Sequence, residues 1–230
     1  GILSLGFPLE DGVRVKYIAD GILKEGIFHE DDFEQEKVPP YSMSADRIGY
    51  YTISDSTNTA YLRLDNCFYY NLKSIRRFNV GLRNMFSEIH DKDVSTLILD
   101  LRNNPGGNRA FALIRYLPVN QYNSGRIHIR RGPFMIKLSG IKRNRIKKDL
   151  CFKGNIYVLT SLTTFSAAMN ITDMLQGNNL AKVIGEVPGN AATCYSNITH
   201  FVLPNSRLSL NVSTSHYYRV DNSNKYIFIM

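Results

Sequence analysis

LILDLRNNPGG, residues 97 to 107, is the stretch on which the reading of the fold turns. It opens as an apolar run from Leu97 to Leu99, the pattern of a strand buried on both faces of a mostly parallel sheet. Such a strand ends at the carboxyl edge of its sheet, where ligands and catalytic groups collect. There the chain changes abruptly to Asn103, Asn104, Pro105, Gly106 and Gly107. Pro105 fixes its own φ and holds Asn104 extended, and paired glycines admit backbone angles that a Cβ resists. The expected product is a rigid turn with bare N–H groups facing outward, a donor set for an oxyanion. An ordinary strand-to-helix loop is the alternative that the motif alone leaves open.

Upstream of this stretch, Ser74 to His90 reads as an amphipathic helix, with Ile75, Phe78, Leu82, Met85, Phe86 and Ile89 at three- and four-residue steps. Before it, alternation at Ile48, Tyr50 and Thr52, a turn at Asn58, and Ala60, Leu62 and Leu64 spell a hairpin. Downstream, Phe111, Leu113, Ile114 and Leu117 imply a second short helix stopped by Pro118. Residues 125 to 140 read as two short β segments, NIYVLT at 155 to 160 as another buried strand, and SAAMNITDMLQ as a helix. Lys182 to Gly185 is a further strand, and FVLPNSRLSLNVSTSHYY alternates as antiparallel strands joined at Pro204-Asn205. Strand–helix–strand order of this kind argues for a layered α/β domain.

Residues 1 to 46 are set apart as an N-terminal β-rich subregion, with strands near Val13 to Ile18 and Gly21 to Phe28. A polar linker closed by Pro39 and Pro40 follows. Residues 47 to 230 form the core domain. Its apolar end, YIFIM, and the start at Gly1 rather than methionine imply truncation at both ends.

The chain has 230 residues, 43% hydrophobic and 21% charged, the composition of an ordinary globular protein with a sizeable core. No apolar run reaches the length of a membrane-spanning helix. The formal charge of +8 raises nucleic acid as a partner, but much of the excess lies in one run at Lys142, Arg143, Arg145, Lys147 and Lys148. With no recognition motif beside it, that run reads as a solvated basic loop, and nucleic-acid binding is set aside. Cys67, Cys151 and Cys194 are too widely spaced for a metal site or a disulfide framework and read as buried thiols. No cofactor or metal is expected.

Ser166 stands at a strand–loop–helix junction with small neighbours, Ala167 and Ala168. A serine there sits in the positive field of a helix amino terminus, with the following N–H placed for a tetrahedral oxyanion. A plain N-cap is the alternative. The order of pieces, DLRNNPGG at Asp100 to Gly107, TTFSAAM at Thr163 to Met169, GEVPGN at Gly185 to Asn190 and the strand pair from Phe201, resembles the carboxyl-terminal processing, or tail-specific, serine peptidase family. The likeness is closer to its tricorn-core-like histidine/acid branch than to its serine–lysine branch.

The resemblance implies a crotonase-like, ClpP-like layered α/β core, a mixed sheet flanked by helices, in which Ser166 attacks a peptide carbonyl. The N–H groups of Ala167 and of Gly106 or Gly107 would form the oxyanion hole, and Asn104, Thr164 and Phe165 would border the bound peptide. It implies peptide or unfolded protein tails as substrates, leaves a homo-oligomer open, and favours an extracytoplasmic or secreted bacterial protein. The lysine of the serine–lysine branch falls at Ala191, and Lys182 precedes the turn. The histidine branch carries its base in an Asp-x-His segment that this chain does not contain, so that base lies upstream of Gly1 or is lost. Asp221 is the candidate acid; Glu186 is expected to brace its turn and His216 to be structural. Two further readings stay open: a non-catalytic module that holds a peptide or apolar ligand on the same fold, and a crotonase-type acyl-thioester enzyme.

Overall fold

The structure, a computed structural model, describes residues 13–19, 22–28, 49–68, 71–107 and 112–220. The chain divides into two units, residues 1–44 and 45–230. In the first, β1 (Val13–Ala19) pairs antiparallel with β2 (Ile22–Phe28).

The second unit is built on a five-stranded sheet whose middle strand is β5 (Thr96–Asp100). Parallel neighbours flank it: β4 (Thr59–Leu64) on one side and β10 (Asn155–Thr160) on the other. Beyond β10 lies β11 (Lys182–Gly185), also parallel, while β3 (Gly49–Ser54) closes the far edge antiparallel to β4, as a hairpin must. The sheet is therefore mixed, as the family resemblance implied.

Each parallel connection steps the same way across the sheet, from β4 to β5 to β10 to β11. With right-handed crossovers this sends the intervening helices to one face. That face carries Ala60, Leu62, Leu97, Leu99, Val158 and Val183, all buried against α1 (Leu72–Asp91) and α2 (Ala167–Gly177). Ile98, Tyr61 and Tyr157, which share a row on the other face, are only half-buried. The apolar run LIL thus corrects to alternation: the absence of polar residues reflected a partly covered second face, not a fully buried one.

Helix α1 starts two residues before Ser74 because Asn71 caps it. The Asn71 side chain accepts the Ser74 N–H at 2.9 Å and the Ser74 hydroxyl accepts the Asn71 N–H at 3.2 Å. The helix expected through Phe111 to Leu117 is a single 3-10 turn, Leu113–Tyr116, in the described residues. Leu113, Ile114, Tyr116 and Leu117 are all buried, so these apolar residues mark a segment enclosed on every side rather than one helical stripe. Tyr116 stacks on Phe86 of α1 with ring centroids 4.3 Å apart.

A second sheet of four antiparallel strands orders β12 (Cys194–Val202), β13 (Ser209–Tyr218), β7 (Arg126–Arg131) and β8 (Phe134–Leu138). Two short strands that the sequence did not announce, β6 (Gln121–Asn123) and β9 (Ile141–Arg143), pair with each other. All three cysteines are free; Cys67 is buried and the other two are half-buried. Among the described residues no helix is long and apolar enough to cross a membrane.

Candidate active site

Two loops leave the carboxyl edges of neighbouring strands β5 and β10, and hydrogen bonds stitch them together. The Ser161 and Thr163 hydroxyls both donate to the Arg102 carbonyl. Thr164 Oγ1 donates to the Leu101 carbonyl at 2.9 Å, and the Phe165 N–H donates to the Asn104 carbonyl at 2.9 Å. The seam brings Ser166 against the glycine turn. A Cβ built on Gly106 would stand 2.6 Å from Ser166 Cβ and 2.9 Å from Ala167 N. Residues sixty apart in sequence therefore share one corner of the molecule.

Ser166 adopts φ 53° and ψ −117°, and its side chain makes no capping hydrogen bond although it opens α2. An N-cap serine has extended backbone and a bonded hydroxyl, so the capping explanation fails here. Holding a residue with a Cβ in this region costs on the order of 1–3 kcal/mol and persists where surrounding structure dictates it. Asn190 supplies part of that dictation: its Oδ1 accepts the Ser166 N–H at 2.6 Å. Ser166 is half-buried rather than sealed in hydrocarbon.

The Gly106 N–H donates to Asn104 Oδ1 at 2.9 Å, which closes the turn, and Gly107 forms a parallel backbone bridge with Cys67. Neither the Gly107 N–H nor the Ala167 N–H has an acceptor among the described residues. Both residues, with Ser166, line a cleft of about 730 Å³ whose walls include Phe68, Pro105, Ile127, Phe165 and Tyr217. Among the described residues its wall contains no charged residue and no histidine. One turn along α2 from Ser166, Asn170 also lines this cleft, and its Oδ1 is buried with no hydrogen-bond partner among the described residues.

Of the residues singled out from sequence, Ser166, Gly107, Ala167 and Phe165 meet at this cleft, and Gly106 lies directly behind it. Asn104 and Thr164 do not reach its surface. Asn104 is fully buried, donating to the Leu64 carbonyl at 3.0 Å and accepting from Gly106, and buried Thr164 is bonded to Leu101 and to the Ser161 N–H at 3.0 Å. Polar side chains of this size are buried only when satisfied, and both are satisfied by shaping the two loops. Asp221 and His29 lie outside the described residues. Glu186 accepts the Leu162 N–H at 3.2 Å. His216 faces His128 across β13 and β7 and stacks on Tyr195 at 4.5 Å, while its neighbour Tyr217 points to the cleft. Ala191 is exposed and carries no base. Asn170 and Asn190 were not legible as site residues, since nothing in an N-x-T match or a glycine-rich turn marks an amide for such work.

Beneath the corner, buried Asp100 anchors the turn. It accepts from Arg102 Nε at 3.0 Å, Arg102 Nη2 at 2.8 Å, the Arg102 N–H at 2.9 Å and the Tyr61 hydroxyl at 2.5 Å. Burial alone would raise its carboxyl, but these donors outweigh burial and hold it below the usual carboxylate range. Cys67 bonds the Gly106 carbonyl through its N–H at 2.8 Å, and burial pushes its thiol up to about 11 despite the Asn104 contact. Among the described residues no group of histidines, cysteines and carboxylates could hold a metal ion.

The model of peptidase family S41 matches residues 58–227. No curated protein matches the chain significantly. Among solved structures, the photosystem II D1 C-terminal processing protease superposes with a TM-score of 0.52 at 17% identity, covering 75% of this chain and 44% of its own. Mature CPAF gives 0.54 at 12% identity, with 74% and 46% covered. A lipoprotein from Streptococcus agalactiae gives 0.52 at 20%, with 78% and 63% covered. At these identities the likeness is one of fold, and the chain spans about half the length of the first two structures.

Proposed function

This chain belongs to peptidase family S41, and on that premise we propose that it is a serine endopeptidase that cleaves peptides or protein tails through an acyl-enzyme on Ser166. The observation that carries this reading is the forced backbone of Ser166, whose uncapped hydroxyl shares a cleft with two amides lacking acceptors. In the proposed reaction Ser166 Oγ attacks the scissile carbonyl. The developing oxyanion takes hydrogen bonds from Gly107 N–H and Ala167 N–H, which face the site without reorganising. Asn190 holds the serine's backbone, and the uncharged wall accommodates an extended peptide with apolar side chains.

The general base comes from outside the described cleft wall, which holds neither histidine nor lysine. Alanine at position 191 favours a histidine and an acid over a lysine, with Asp221 as the acid. The same bare wall supports a second reading, a non-catalytic module that grips a peptide or apolar ligand in this cleft.

A fluorophosphonate probe separates the two. It should label the protein and fail to label Ser166→Ala. Equal labelling of both, or of neither, would overturn the peptidase reading, and retention of apolar peptides by the unlabelled protein would establish the second.

A further inference from the structure

A second concavity, of about 560 Å³, runs between one flank of α1 and the segments 112–116 and 147–150, and it shares no lining residue with the Ser166 cleft. Arg76 and Arg83 line it from α1; Arg115 and Lys147 line the facing wall; among the described residues Asp149 is its lone acid. Among the described residues none of these four cations takes part in an ion pair.

The cations stand on fixed elements. The Arg115 carbonyl accepts the Lys147 N–H at 2.7 Å, the Tyr116 carbonyl accepts the Phe152 N–H at 2.8 Å, and Tyr116 is stacked on Phe86 of α1. Tyr116 lines the groove with Arg83 and Arg115; burial raises its phenol, and the charges of the two arginines oppose that rise. Arg115 Nε is itself buried and has no acceptor among the described residues. The four converging cations also repel one another. An anion in the groove offsets that repulsion.

We propose that this groove is a binding site for an oligophosphate, either free or as part of a phosphorylated small molecule. Three of its four cations are arginines, whose planar forks each take two oxygens at once. Charges stand on both walls, which suits tetrahedral groups presenting oxygens in several directions rather than one flat carboxylate. Arg76 and Arg83 are two helical turns apart, roughly 10 Å along the axis, a span for more than one phosphate. The volume falls within the range of small-molecule sites, about 300–1,000 Å³. This inference is independent of the peptidase reading.

Titration calorimetry of the full chain with inorganic tripolyphosphate, and separately with ATP, tests it at about 0.15 M salt. Saturable single-site binding of tripolyphosphate is expected, weakened roughly tenfold or more in Arg83→Met and in Arg115→Met. It should be unchanged in Arg207→Gln, an exposed cation between β12 and β13. Tighter binding of ATP than of tripolyphosphate would assign the phosphorylated small molecule; the reverse would assign free oligophosphate. Arg83 is exposed, so its variant keeps the test valid if Arg115→Met fails to fold. No saturable binding, an equal loss in Arg207→Gln, indifference to the Arg83 substitution, or tighter binding of a hexaglutamate peptide would each overturn the proposal.

Discussion

Gly106→Ala is the perturbation that most directly interrogates the corner joining the two loops. Its new Cβ would meet Ser166 Cβ at 2.6 Å, the Phe165 carbonyl oxygen at 2.7 Å and Ala167 N at 2.9 Å. Ordinary contacts between carbon atoms lie at about 3.5–4.0 Å, so the turn and the loop must part by roughly 1 Å. Two of the three obstacles are backbone atoms, which no rotamer change moves. Gly106 also sits at φ +98°, where a residue with a Cβ is strained by about 1–2 kcal/mol. Overpacking adds about 1–3 kcal/mol, giving an expected loss of about 2–5 kcal/mol in unfolding free energy.

Because a displacement of about 1 Å at reacting groups can cost on the order of a hundredfold in rate, fluorophosphonate labelling of Ser166 should slow by about that factor even in molecules that remain folded. Gly132→Ala supplies the control. Gly132 is at φ +57° with nothing within 4 Å of a built Cβ, so only the strain of about 1–2 kcal/mol applies and labelling should be unchanged. Urea unfolding and labelling kinetics on both variants give the comparison. If Gly106→Ala is no more destabilised than Gly132→Ala and labels at the native rate, the glycine turn does not abut the serine and the stitched-loop account is wrong.

The backbone of Ser166 predicts that Ser166→Gly will unfold at higher urea than Ser166→Ala, by about 0.5–1 kcal/mol, since only glycine escapes its φ; equal midpoints would mean the angle is unstrained. Asn190→Ala removes the acceptor of the Ser166 N–H and should destabilise by about 1–2 kcal/mol while slowing labelling, whereas a change in stability with native labelling would deny Asn190 any part in placing the serine. Asp100 is held below the ordinary carboxylate range, so its contribution to stability is complete above about pH 4 and disappears as pH falls through its lowered value. Asp100→Asn should therefore flatten the acid limb of the stability profile, and a limb of unchanged steepness would count against that ion pair. The Cys67 thiol, raised by burial, should react with a disulfide reagent far more slowly than Cys151 or Cys194 in native protein, and all three should react alike in urea.

Much of the fold was written in local patterns. The alternation of β3 and β4, the three- and four-residue steps of α1, and the run NIYVLT each state their own periodicity, and the structure places strands and a helix there within two residues. The glycine turn and Ser166 were singled out by the order in which the motifs follow one another, since each motif alone also fits an ordinary loop or a helix cap. What stayed hidden was anything decided by who lies next to whom. Phe111 to Leu117 looked helical because burial on all sides and a helical stripe draw on the same apolar residues, and β6 and β9 were too short to carry a period. The resemblance put Asn104 at the border of the bound peptide, whereas in the structure its side chain is spent on bonds within the seam; Asn170 looked like ordinary helix, yet it lines the cleft with a buried oxygen that has no partner among the described residues.

Sequence by itself determined the strand order of events: a buried strand ending in paired glycines, then a second ending in a serine before a helix. Only the tertiary structure decided that those two ends meet, because parallel pairing of β5 with β10 puts their carboxyl edges side by side and the intervening hydroxyls close the gap. The same packing turned scattered arginines into a groove. Proximity between distant segments is a property of the folded sheet and its crossovers, and no local pattern of residues encodes it.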